Sequence, residues 1–143
     1  MTEVIGYVLS FALSAMFLLI SLNVFDSARD NTDHVLTGVE LKTIADRVAG
    51  RIVELGLVSQ EFPEARMNIT LSIPQSLNGR IYTVTASATQ VLAATNDGEV
   101  TARATTFKSG VTVPAGIAGV VDSSNERLLV KYSRTDGITI SGE

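Results

Sequence analysis

The stretch Val4–Phe25, VIGYVLSFALSAMFLLISLNVF, contains no Asp, Glu, Lys or Arg. As an α-helix it would extend about 33 Å at ~1.5 Å per residue, close to the thickness of a bilayer's hydrocarbon core. Glu3 stands just ahead of it, and the nearest basic residue is Arg29. A secretory signal peptide needs a basic leader, a short apolar core and a small-residue cleavage site; this stretch lacks the first and its core is too long. A plain membrane anchor accounts for the length but not for the missing basic flank. Gly6, Ser10 and Ser14 are four apart and fall on one ridge of a helix. That is the small-xxx-small spacing that lets helices approach closely. Phe11 and Leu18 are large apolar candidates for the same packing. A helix that is apolar on all sides has apolar neighbours all round, either lipid or like helices.

Beyond this stretch, residues 26–57 read DSARDNTDHVLTGVELKTIADRVAGRIVELGL. The first nine are strongly polar. Then Val35, Leu36, Val39, Ile44, Val48, Ile52 and Leu55 recur at helical spacing, with Lys42, Asp46, Arg47 and Glu54 largely between them. This predicts an amphipathic helix. With no Pro or Gly pair to separate it from the apolar run, one helix from about residue 3 to 56 is expected. Gly56 is the expected stop, and Pro63 bars continuation.

From residue 58 the pattern changes to strands. Met67, Ile69, Leu71 and Ile73 alternate with polar residues, and Asn78-Gly79 is a strong turn signal. Further strands are expected in 80–92, 99–107, 110–113, 117–121, 127–132 and 138–141, separated by turns such as Asn96-Asp97-Gly98 and Asp136-Gly137. The fold class is therefore α+β. Residues 1–57 form a long helix (1–25 apolar, 26–57 amphipathic), and 58–143 a C-terminal antiparallel β-sandwich or barrel-like domain.

Composition excludes several function classes. The 143 residues carry a net charge of −4, which gives no electrostatic case for nucleic acid. There is no Cys and a single His, so disulfides and thiolate metal sites are excluded and a transition-metal centre is not expected. His34 lies in the polar part of the helix, where a solvated side chain is expected, with a pH-sensitive contact to Asp30 or Asp33 as the alternative. The carboxylates of the β region sit in or beside turns, where Asp is expected for backbone reasons. Asp122–Glu126 is the one segment with a weak case for a hard cation. No catalytic constellation and no phosphate-cradling loop is present, so neither an enzyme nor a cofactor is expected. Asn68-Ile69-Thr70 is the sole N-x-[ST] acceptor and makes Asn68 a glycosylation candidate.

Residues 2–13, TEVIGYVLSFAL, resemble the N-terminus of a mature archaeal type IV pilin, in which E-V-I-G or a similar tetrapeptide opens a long apolar run. The likeness covers about 25 residues strongly and extends to the whole chain only through the helix-then-β plan. It implies a precursor whose basic leader is removed by a membrane prepilin peptidase, with Met1 as the processed first residue. It also implies residence in the membrane before assembly, transfer by a pilus assembly machinery, and a homo-oligomeric helical filament at the cell surface. Apolar helices would form the filament core and β domains its coat. Adhesion is the expected role. Bacterial pilins place a Glu at the fifth mature position; here that position is Ile5, and Glu3 is the acid that would help place the N-terminal amine. Archaellins, the motility subunits, share the plan but open more like G-I-G-T-L-I-V-F, and they remain an alternative. A single-span surface protein whose β domain does not polymerise is the rival from another class.

Overall fold

The computed structural model describes residues 2–107 and 116–143, with side chains from Val4 onward. The strand expected at 110–113 and the side chain of Glu3 lie outside the described residues. Helix α1 (Thr2–Glu61) is followed by seven strands: β1 (Met67–Ser72), β2 (Tyr82–Ala86), β3 (Gln90–Thr95), β4 (Thr101–Thr105), β5 (Ile117–Asp122), β6 (Arg127–Ser133) and β7 (Gly137–Gly142). The α+β class, a long helix and then a mostly antiparallel β region, is as expected.

The strands form one sheet in the order β1-β6-β7-β5-β2-β3-β4. Every pairing is antiparallel except β5 with β7. A second sheet is absent from the described residues, so the expected sandwich is corrected. Its second layer is the C-terminal part of α1. Leu41, Ile44, Ala45, Val48, Ala49, Ile52 and Leu55 are buried at the 3- and 4-residue spacing of one helix face. Opposite them are the inward residues of the strands, among them Val84, Val91, Val121, Leu128, Val130, Ile138 and Ile140. A single sheet that meets an amphipathic helix has already covered its apolar face.

This packing moves the domain boundary. The chain divides into compact units Met1–Val35 and Leu36–Glu143, where 57/58 was expected. The physical reason is that residues 41–55 are one wall of the β domain's core. The helix also runs five residues past Gly56, to Glu61. Pro63, which has no N–H to extend the ladder, follows two residues after the helix end. Gly56 serves close approach instead: a Cβ there would lie 2.5 Å from Phe107 Cζ.

Two buried tyrosines tie the connections down. The Tyr132 hydroxyl donates to the Pro63 carbonyl at 3.2 Å, holding the link between α1 and β1. The Tyr82 hydroxyl donates to the Pro74 carbonyl at 2.5 Å, holding the link between β1 and β2. The expected Asn78-Gly79 turn is present, with φ of 49° and 75° and a two-way backbone pairing of Leu77 with Arg80. Positive φ at both central residues is what a type I′ turn demands. The Asn78 carboxamide also donates to the buried Thr37 hydroxyl at 3.0 Å, joining this turn to the helix.

Candidate functional site

The N-terminal unit is a helix whose large apolar side chains face outward on every side. Phe11 is 77% exposed, Leu18 63% and Phe25 77%. Within α1 an 18-residue window reaches a mean hydropathy of 2.2, and none of it is buried. The helix is long and apolar enough to cross a membrane. Exposure of this much apolar surface to water would be unfavourable by about 25 cal/mol per Å². Lipid or other helices are the environments that such a surface fits.

The ridge read from the sequence sits on this surface. A Cβ added at Gly6 would meet no atom within 4 Å, so the chain itself makes no use of that gap. The Ser14 hydroxyl donates to the Ser10 carbonyl at 2.9 Å. Bonding back into its own helix leaves little polar demand on the surroundings, which suits an apolar neighbour. Gly6, Ser10 and Ser14 thus lie one turn apart along one helix, and Phe11 and Leu18 stand exposed beside them. Glu3 is within the helix, its side chain undescribed. Asn68 is far along the chain on β1, on the exposed face of that strand.

Sequence reasoning misplaced one set of residues. Val35, Leu36 and Val39 were expected on the core face, but they are 60%, 50% and 60% exposed. The signal was available: Val39 and Ile44 are five residues apart, which at about 100° per residue puts them roughly 140° apart around the helix. The core face begins at Thr37 and Leu41 instead. His34, expected to be solvated, is half-buried.

The polar groups of the β domain are occupied in turns. Asp97 accepts from the Thr95 hydroxyl at 2.5 Å and from the Glu99 amide at 3.0 Å. The Thr95 hydroxyl first, then the Glu99 amide and the Arg80 guanidinium, hold its carboxyl below the usual range. Asp122 is likewise held low, chiefly by the Ser124 amide, to which it is bonded at 2.9 Å. Glu126 accepts from the Gln75 carboxamide at 3.0 Å. Asp122 and Glu126 therefore serve separate contacts, and among the described residues no three His, Asp or Glu side chains gather as metal ligands.

No curated protein and no solved structure matches the chain. The model of a family described as "Family of unknown function (DUF7266)" matches residues 1–141, and the chain belongs to that family.

Proposed function

We propose that this protein is a structural subunit of a type IV pilus-like cell-surface filament, polymerising through its N-terminal apolar helix and serving adhesion. The observation that carries the reading is the contrast within α1. Its C-terminal part buries one face against its own sheet, whereas residues 4–25 bury none of their large apolar side chains. The resemblance of residues 2–13 to mature archaeal pilins supports the same reading. The subunit would rest in the membrane first and move into a helix-packed core later. Both environments are apolar, which explains why residues 4–25 carry no charge. Each ~1,000 Å² of apolar surface buried between helices would contribute about 25 kcal/mol before the costs of association. A head-to-tail contact that does not close would propagate a filament.

The test is electron microscopy of material sheared from cells that express the full chain, with mass spectrometry of the filaments. Filaments built from this chain are expected. Recovery of the chain solely as a detergent-soluble monomer would favour the single-span anchored β domain instead. Swimming and surface attachment of a deletion strain separate an adhesive pilus from a motility filament: attachment should fall and swimming should not.

A further inference from the structure

The outer face of β1 carries a free carboxamide in an acceptor motif. Burial along Met67–Ser72 alternates, half-buried and exposed, so Asn68 and Thr70 both stand on the exposed side, two residues apart. Their register partners on β6 are Lys131 and Leu129. The other asparagines of the β region are engaged: Asn78 donates to Thr37, Asn96 accepts from Thr83, and Asn125 donates to the Asp122 carbonyl. Among the described residues the Asn68 side chain has no such partner. It opens instead on a surface recess of about 340 Å³, which Arg66, Lys131, Asp136 and Thr139 also line. A sugar has room there, with hydrogen-bonding groups of both kinds for its hydroxyls.

A second observation concerns the strand itself. Among the described residues β1 ends the sheet and pairs on one side only, with β6. Its six residues, MNITLS, carry no charge. The opposite edge strand, β4, has the exposed Arg103 at its centre. Edge strands without charge are templates for pairing with other chains, and proteins protect them with charge, bulges or covering groups.

We propose that Asn68 is an N-glycosylation site, on the outer face of the uncharged edge strand β1. The donor would be an oligosaccharide linked through phosphate to a membrane lipid. Asn68 Nδ2 bonds to the anomeric carbon of the first sugar, and that carbon's bond to the lipid phosphate oxygen breaks. The phosphate leaves with the electron pair, and the amide nitrogen gives up one proton to a base of the transferase. The proposal rests on the reading above that the β domain lies outside the cell.

The experiment uses the full chain made in the cells that encode it. Trypsin after Arg66 and Arg80 releases residues 67–80, which contain the acceptor motif. The wild-type peptide is expected to carry a discrete added mass. That mass should vanish in Asn68→Gln and in Thr70→Ala and persist in Thr70→Ser. Wild-type peptide found only unmodified, or an added mass that survives Asn68→Gln, overturns the proposal. Filaments are scored separately by microscopy. Filaments with an unmodified peptide remove the glycan alone; a modified peptide without filaments upholds the glycan and removes the polymer.

Discussion

Gly119 sits at φ 145° in β5, beside β7, in the parallel pair. A Cβ at this position would collide with the Ile140 carbonyl oxygen. Gly119→Ala is therefore expected to lower stability by about 1–3 kcal/mol in urea unfolding, because backbone, not a flexible side chain, stands in the way. Tyr82 is a different case. Burial pushes its phenol up to about 12 from 10.0. A folded-state value above the unfolded one means that its contribution is intact below the unfolded pKa and is lost as pH rises through the folded value. The urea midpoint should thus fall as pH rises from 10.0 to about 12. Tyr82→Phe should cost about 1 kcal/mol near neutral pH, through the lost bond to Pro74, and should flatten that alkaline fall. The Asn78-Gly79 turn could be read from two letters, since its conformation is local. Gly119 could not, since only the pairing of β5 with β7 brings Ile140 to it.

At the scale of elements, α1 is one helix in two settings. Its apolar run and its amphipathic period were both legible in the sequence. Which residues of the second half face the sheet was legible only in part: Ile44, Val48, Ile52 and Leu55 are buried, but Val35, Leu36 and Val39 are not. Hydrophobicity alone does not separate a side chain covered by its own sheet from one awaiting another surface. The consequence can be checked with two fragments. Residues 36–143 should be a soluble domain with a cooperative thermal transition. Residues 58–143 lack Leu41, Val48 and Ile52, expose the inner face of the sheet, and should aggregate or bind a hydrophobic dye. Within the intact chain, Ile52→Ala should cost about 2–5 kcal/mol in the same urea measurement, as expected for a fully buried residue.

For the whole molecule, the proposed filament places its demand on the N-terminal unit. Gly6 is open on its own chain, so Gly6→Leu should leave folding of residues 36–143 unchanged and membrane insertion intact. Filament yield in sheared material should drop at least about tenfold, the equivalent of roughly 1.4 kcal/mol per subunit contact. Unchanged yield would show that the Gly6 ridge is not a packing surface. The long helix, its uncharged apolar segment, the Asn78-Gly79 turn and the α+β class could all be read from the sequence. Each of these follows from periodicity, composition or turn chemistry within a short span of chain. The strand order, the parallel β5–β7 pair, the helix as the core's second layer and the boundary at Leu36 emerge only once the chain is folded. Those depend on contacts between residues distant in sequence, where burial of one apolar face against another outweighs local preference.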